Sequence, residues 1–307
     1  MEKILQLQQR LKRKDKNIFL DAVEEKLTEY GYEFERIRLG RIVKSVNLET
    51  KSSQPDYIFM AHYDTPTRLP SWILWLMKFC GQNNQFLMIG LIALLFFVFF
   101  AIVELAPALF SIEAEMISII IIGLAYIILI ISFIPVLIPN KNNFDDNTSG
   151  VIALLSLAKK CKEQGIENVK FVFVDTEEIG LFGSRAHRRY LEREKLISRN
   201  CKVISLDCVG AGDFPVVIRN SKSSYAASLH NALQETFADA KSIRMIMPMS
   251  DNFSFTKYGA INISFMNKAI IPTGYYIPNI HSAKDDKVDL DKIEKLTDTL
   301  AGYILAH

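Results

Sequence analysis

Histidine and carboxylate side chains, which bind divalent metal ions, recur along the chain in short clusters. They are oxygen and imidazole ligands with no thiolate, a set that favours a hydrolytic zinc site in which manganese or cobalt can substitute. The pattern therefore predicts a metallohydrolase. The clusters are His62-Tyr63-Asp64, Asp145-Asp146-Asn147 and Asp175-Thr176-Glu177-Glu178, followed by the single residues Asp207 and His281.

Two of these clusters have a spacing with a physical meaning. His62 and Asp64 lie two residues apart, so in an extended segment both side chains point to one face. A ligand histidine needs an acceptor on its second ring nitrogen, and Asp64 can supply it. Glu177 and Glu178 place like charges side by side, which is unfavourable without a cation. One can bind metal while the other accepts a proton, although a solvated acidic turn is the plain alternative for this pair.

Segments of alternating type position these residues. Strands are expected at 57–61, 169–175, 203–207 and 262–265, and helices at 15–31, 148–162, 184–194, 223–237, 250–258 and 289–305. Strands that alternate with helices predict an α/β fold, a three-layer sandwich with a mostly parallel central sheet. In such sheets the site lies beyond the carboxyl ends of the strands. His62, Asp175, Glu177 and Asp207 all fall there.

Two charge-free apolar runs separate the first two clusters. They cover 86–103 and 116–137, and each matches the roughly 20 residues that cross a bilayer. A single run of this kind could instead be the buried core helix of a soluble protein, but two such runs in succession disfavour that alternative. We therefore predict a transmembrane helical hairpin within an insert at 71–139, flanked by the two parts of a catalytic domain at 1–70 and 140–307.

Charges around the insert predict its orientation. The connection between the runs, which includes Glu113, contains no Lys or Arg, whereas Arg68, Lys78 and Lys141 lie on the flanks. The positive-inside rule then predicts a two-span membrane protein with a cytoplasmic catalytic domain. The link from Leu137 to Asp146 reaches at most about 30 Å. The hairpin either only anchors the enzyme or also brings the mouth of the site close to the bilayer.

Composition narrows the remaining possibilities. A formal charge of +2 over 307 residues gives no footprint for nucleic acid. The four cysteines have no CxxC spacing and are expected to be reduced. The N-terminal segment has no apolar core region, so no secretory signal is expected. The basic run 12–16 is interpreted as a solvated helix face or turn, with contact to anionic lipid as the alternative.

Taken together, the motifs resemble the co-catalytic zinc aminopeptidases, the twenty-eighth metallopeptidase family. The resemblance covers about 50–70 and 142–290 and rests on HYD, DDNTSG, DTEEIGLFGS, a strand-end aspartate and the late IHSAKDD. It implies two zinc ions about 3.5–4 Å apart. His62 and Asp207 would hold the first, Glu178 and His281 the second, and Asp146 would bridge them.

The same resemblance implies a mechanism. Glu177 would act as general base on a bridging, metal-activated water, with Asp64 as the second catalytic residue through its support of His62. Asp251, in a segment where asparagine replaces the family's histidine, and Asp285, four residues past His281, would have supporting roles at most.

The resulting hypothesis is a membrane-anchored aminopeptidase whose partners are a peptide substrate and the lipid bilayer. Carboxypeptidase or dipeptidase action on the same metal set remains open. Glutaminyl cyclases share the fold but use one zinc and lack the first histidine ligand, whereas His62 is present here. A non-catalytic membrane receptor or scaffold is the alternative from another class.

Overall fold

The computed structural model describes residues 1–52, 54–109 and 115–307. The chain forms two compact units. The first contains Met1–Pro66, Asn140–Asn267 and Ile277–His307, and the second contains Thr67–Pro139 and Lys268–Tyr276.

A mixed sheet forms the centre of the first unit. The strands are β1 Phe34–Leu39, β2 Ser45–Thr50, β3 Tyr57–His62, β4 Val169–Val174, β5 Lys202–Leu206, β6 Phe214–Arg219, β7 Lys241–Arg244 and β8 Ile261–Lys268. Their order in the sheet is β1-β2-β4-β3-β5-β8-β6-β7. The four neighbours β4, β3, β5 and β8 run parallel. The pairs β1–β2, β2–β4 and β6–β8 are antiparallel, and β7 runs parallel to β6.

Helices cover both faces of this sheet. Every residue of β3 and β4 is buried, as expected for parallel strands covered on both sides. Phe59 and Ala61 join the larger apolar cluster under α2, α6, α8 and α9, and Ile58 and Met60 face Leu191 of α7 in a second cluster. The predicted α/β fold with a central sheet is therefore confirmed. The helices are α1 Glu2–Gln6, α2 Arg13–Glu29, α6 Gly150–Glu163, α7 Phe182–Arg193, α8 Ala226–Thr236 and α9 Leu290–Ala306.

Some local predictions differ from the structure. The segment Asp251–Tyr258 is a 3-10 helix rather than an α-helix. The strands β1, β2, β6 and β7 were not anticipated. Strands β1 and β2 contain several polar and charged residues, β6 contains Pro215, which removes a ladder donor, and β7 has only four residues, two of them charged. Helix α2 ends two residues before Gly31, whose φ of +75° provides the left-handed turn after the helix.

The second unit is built around apolar helices. They are α3 Ser71–Cys80, α4 Gln85–Leu109 and α5 Glu115–Phe133, followed by a 3-10 turn Ile134–Leu137 and the short strand β9 Tyr275–Tyr276. Helices α4 and α5 pack together, with the rings of Phe99 and Tyr126 edge to face at 5.7 Å.

Within the described residues, Gln85–Val103 is long and apolar enough to cross a membrane, and apart from Gln85 none of its side chains is buried. The apolar stretch Ile122–Leu137 falls short of that length, so the second predicted span stays a prediction. Helix α4 continues to Leu109, past the predicted start of the connection, because the end of a charge-free run does not end a helix. Glu113, predicted in the connection, lies outside the described residues.

Candidate metal centre

Three adjacent parallel strands deliver the first group of polar side chains. His62 is the last residue of β3, Glu177 and Glu178 follow β4, and Asp207 follows β5. Because β4, β3 and β5 are neighbours in that order, their carboxyl ends meet at one edge of the sheet. The expected placement of these residues beyond the strand ends is therefore observed.

Sharp backbone turns aim these side chains. Thr176, Cys208 and His281 have φ values of +59°, +56° and +51°, in the left-handed region that non-glycine residues rarely adopt. Thr176 directly precedes Glu177, and Cys208 directly follows Asp207. Such conformations cluster at functional sites, where the surrounding structure holds them in place.

The loop that carries Asp146 is fixed to the end of β5. The Asp146–Asn147 peptide is cis. The Asn147 side-chain amide donates to the Leu206 carbonyl at 3.0 Å, and its oxygen accepts the N–H groups of Gly150 at 3.0 Å and Cys208 at 3.2 Å. These contacts hold Asp146 beside the strand end that bears Asp207.

Two ligand groups result, and they share Asp146. In one, Nε2 of His62 lies 3.3 Å from Oδ1 of Asp146 and 3.5 Å from Oδ1 of Asp207. In the other, Nε2 of His281 lies 3.0 Å from Oδ2 of Asp146 and 3.3 Å from Oε2 of Glu178. The ligand atoms of each group lie within 4.8 Å of one another. The structure thus brings together the five predicted metal ligands.

Glu177 lies beside these groups. One of its carboxylate oxygens is within 4.8 Å of ligand atoms of His62 and Glu178. The side chain is partly exposed, which leaves it accessible from the site. Burial raises the pKa of Glu177 well above its ordinary range against the effect of His62, and the nearby carboxylate of Asp251 adds to the rise.

Asp64 connects the two strand ends from behind. Its carboxylate accepts the backbone N–H of Glu177 at 3.0 Å and that of Glu178 at 3.3 Å. Nδ1 of His62 lies 3.3 Å from the backbone carbonyl oxygen of Asp64 and 3.6 Å from its Oδ1. The backbone carbonyl of Asp64 therefore orients the histidine through its second ring nitrogen, and the carboxylate lies just beyond hydrogen-bond distance.

Asp285 holds the backbone of Asp146, the residue that the two ligand groups share, in a similar way. Its carboxylate accepts the N–H groups of Asp145 at 2.7 Å and Asp146 at 3.0 Å. Burial raises the pKa of Asp285 to about 8, with Asp145 adding to the rise. The side chain of Asp145 is used elsewhere, since its Oδ1 accepts the Gly210 N–H at 2.6 Å. This explains why the second aspartate of the pair, and not the first, points into the ligand groups.

Two residues near the motifs have other partners. The carboxylate of Asp175 pairs with Lys16 and belongs to neither ligand group. Asn252, where the resemblance expects histidine, donates to Asn220 at 2.9 Å.

The Cys208 thiol contacts Oδ1 of Asp207 at 3.3 Å, and burial raises the pKa of that thiol well above its ordinary value.

Sequence reasoning missed Arg10, a fully buried cation behind the carboxylates. Its guanidinium donates to the carbonyls of Tyr63 and Leu7 and to the Thr148 hydroxyl at 3.0 Å. Burial lowers its pKa to about 10 against the effect of four carboxylates, beginning with that of Asp64, so it stays charged at neutral pH. A lone arginine in a short N-terminal segment gives no signal of such a role.

The chemistry of the donor set fits divalent metal ions. Oε1 of Glu178 is buried and has no hydrogen-bond partner among the described residues. Buried carboxylates are stable when paired or bound to a metal. Although burial favours neutral imidazole, the carboxylates of Glu177 and Asp146 raise the pKa of His62 well above its ordinary value, which shows how much negative charge the cluster holds.

Solved structures share this fold. The chain is similar to a glutaminyl cyclase from Porphyromonas gingivalis (16% identity, TM-score 0.63, covering 99% of this chain and 95% of that chain). It is also similar to a leucine aminopeptidase precursor from Bacteroides thetaiotaomicron, with 17% identity and a TM-score of 0.60, covering 100% of this chain and 94% of that chain. A third similar structure is a Zn-dependent exopeptidase from Parabacteroides distasonis, with 14% identity and a TM-score of 0.61, covering 99% of this chain and 94% of that chain. At these identities the likeness concerns the fold alone. No curated protein matches the chain.

A family model matches directly. The model of peptidase family M28 covers residues 138–304, more than half of the 307 residues, and this stretch includes Asp146, the glutamate pair and His281. The predicted resemblance and the prediction of a metallopeptidase are thereby confirmed. This chain belongs to peptidase family M28.

Proposed function

We propose that the chain is a zinc-dependent aminopeptidase that is anchored in a membrane and removes N-terminal residues from peptides. One observation carries the proposal: two ligand groups share Asp146, and Glu177 lies beside both. A site of this kind binds two divalent ions and keeps one free carboxylate for proton transfer.

Each residue then has a separate role. His62 and Asp207 would hold one zinc ion, Glu178 and His281 would hold the other, and Asp146 would be shared by both. The zinc ions, when bound, supply Lewis acidity that activates water and polarises the scissile carbonyl.

Glu177 moves the proton. It takes a proton from the attacking water and returns it to the leaving amine nitrogen as the carbon–nitrogen bond breaks. Burial raises the pKa of Glu177 above its ordinary range, and this direction favours the uptake of a proton. Asp64 keeps the Glu177 backbone and the His62 ring in place during the cycle.

Carboxylates outside the ligand groups favour an N-terminal over a C-terminal substrate group. Two zinc ions would offset the charge of the ligand carboxylates, but Glu177 and the nearby Asp251 are not ligands and would attract a positively charged α-amine. Arg10, whose charge acts on four of these carboxylates, is fully buried and cannot receive a substrate carboxylate. This supports aminopeptidase over carboxypeptidase action.

The apolar helices supply the proposed anchor. Gln85–Val103 has the length and composition of a membrane span, and we take α5 with the turn after it as the returning span. The basic residues on the flanks favour a cytoplasmic catalytic unit.

Hydrolysis of a panel of aminoacyl anilides by detergent-purified, zinc-loaded protein tests the proposal. Activity is expected in the parent and in Glu235→Gln, an exposed glutamate on α8, and it is expected to vanish in Glu177→Gln. Cyclisation of N-terminal glutamine peptides, without anilide release, would replace the proposal with a cyclase. Zinc binding without either activity would point to carboxypeptidase, dipeptidase or scaffold roles.

A further inference from the structure

A cavity of about 510 Å³ opens in the first unit beside the start of α2 and the connection between β1 and β2. We propose that this basic pocket binds a phosphate ester, carried either by an anionic phospholipid or by a soluble molecule. The charged side chains that line it are Arg13, Lys16, Arg38, Lys44 and Asp175.

The pocket has an excess of positive charge. Its one carboxylate, Asp175, is already occupied, because it pairs with Lys16 and accepts the N–H groups of Val46 at 3.2 Å and Thr176 at 2.8 Å. The remaining cations have no ion-pair partner within the part of the chain that the structure describes. They are Arg13, Arg38 and Lys44. Among the described residues, no carboxylate therefore neutralises these three cations, and an external anion can do so.

The backbone adds to this charge. Helix α2 has 17 residues and begins at Arg13, and no side chain caps its first N–H groups. The start of a helix carries a partial positive charge and free N–H donors, which suit phosphate. Arg13 and Arg38 add planar guanidinium groups, which match phosphate oxygens in a bidentate arrangement.

The size and position of the pocket distinguish it from the metal centre. Its volume falls within the range of about 300–1,000 Å³ that holds organic ligands, so it accommodates more than a single ion. Tyr63 and Asp175 form part of its wall, and neither belongs to a ligand group of the metal centre. The basic run at 12–16, which the metal centre does not use, thus acquires a role together with residues from the β1–β2 connection.

Phosphorus NMR titration of the detergent-purified, zinc-loaded protein with glycerol phosphate tests the inference. We expect saturable binding that weakens at least about tenfold, or about 1.4 kcal/mol, in the double variant Arg38→Ala/Lys44→Ala. The matched control Arg199→Ala/Lys222→Ala removes the same charge, from one arginine and one lysine, at two exposed residues outside the pocket lining and outside the β1–β2 connection, and it should bind as the parent does. Binding is measured directly, so the result is independent of peptidase turnover.

Two results would overturn the inference: no saturable binding by the parent, or equal affinity in the double variant and the control. The second result would place the phosphate elsewhere, for example at the zinc ions. Reconstitution in nanodiscs identifies the source. If phosphatidic acid in the disc, but not phosphatidylcholine alone, displaces glycerol phosphate, the pocket receives a lipid headgroup. If phosphatidic acid has no effect, the pocket binds the soluble ester.

Discussion

The carboxylate of Asp64 accepts the backbone N–H of Glu177 at 3.0 Å. This contact joins the end of β3, which carries the proposed ligand His62, to the turn after β4, which carries the proposed base. The side chain of Asp64 therefore positions the proposed base, and the backbone carbonyl of the same residue lies 3.3 Å from Nδ1 of His62.

Replacing the side chain of Asp64 should weaken zinc binding without unfolding the protein. Asp64→Asn keeps the shape but puts an amide donor in place of one acceptor oxygen. Loss of such supporting contacts typically costs about 10–100-fold in metal affinity or activity, and we expect a loss of this size in both. Competition with a zinc chelator and anilide turnover measure it. Asp239→Asn, at an exposed site, serves as control, and parent-like zinc affinity in Asp64→Asn would contradict the role.

Asp285 should matter through the backbone that it holds. Asp285→Ala leaves the N–H groups of Asp145 and Asp146 without their acceptor, at a cost of about 1–3 kcal/mol for each buried donor. We expect a lower unfolding temperature and weaker zinc binding. The neighbouring exposed residue provides the matched variant Asp286→Ala. Equal stability of the two variants would show that Asp285 does not position the loop.

A buried charge cluster away from the metal centre predicts a pH-dependent stability. Glu49 and Lys170 are both buried, with their charged atoms 2.6 Å apart, and Nε2 of His187 lies 3.0 Å from Glu49. Burial acts to raise the pKa of Glu49, but hydrogen bonding and charge from His187 and Lys170 outweigh it and lower this pKa.

A lowered carboxyl pKa stabilises the fold above the unfolded value of about 4.3, and this stabilisation is lost as the pH falls through the lower folded value. Glu49→Gln should therefore cost about 3–5 kcal/mol at neutral pH, because it leaves Lys170 buried without its partner. The difference in the free energy of unfolding between Glu49→Gln and the parent should shrink as the pH falls below about 4.3. Denaturant unfolding across the pH range measures it, with the cross-strand exposed residue changed in Glu35→Gln as control. A difference that does not change with pH would contradict the assignment.

The proposed anchor makes a prediction about membrane insertion. Arginine at Leu94 and Phe97, two exposed positions of α4, should cost about 2.5–3.5 kcal/mol each at the centre of a span. We expect Leu94→Arg/Phe97→Arg to lower the fraction of protein that stays in membranes after alkaline carbonate extraction. Leu290→Arg, at an exposed leucine of α9, should have no effect. Extraction of the parent protein into the soluble fraction would contradict the anchor.

The sequence predicts best where local pattern and chemistry agree. The buried runs of β3 and β4 have no polar alternation. Since β3 ends in His62 and β4 is followed directly by a carboxylate cluster, the sheet edge with His62 and Glu177 follows from the pattern. The choice of Asp146 over Asp145 came from the family resemblance alone. Its physical reason, the use of Asp145 by the Gly210 N–H, depends on a contact across 65 positions that no local pattern contains.

Other features could not be predicted from the sequence because they also depend on contacts between residues that lie far apart along the chain. Arg10 reaches Thr148 across 138 positions, and its burial depends on the packing of a segment with weak periodicity. The left-handed conformations of Thr176 and His281 run against the intrinsic preference of these residues and are imposed by the site. The basic pocket combines α2 with the β1–β2 connection, and neither segment alone predicts a cavity.

The number of zinc ions bound to each purified chain tests the central claim most directly. Native mass spectrometry of the detergent-released protein should show two zinc ions in the parent, one in Glu178→Gln, and a loss at both positions in Asp146→Asn. A parent protein that binds a single zinc ion under saturating conditions, or an Asp146→Asn variant that still binds two, would contradict a centre in which Asp146 is shared.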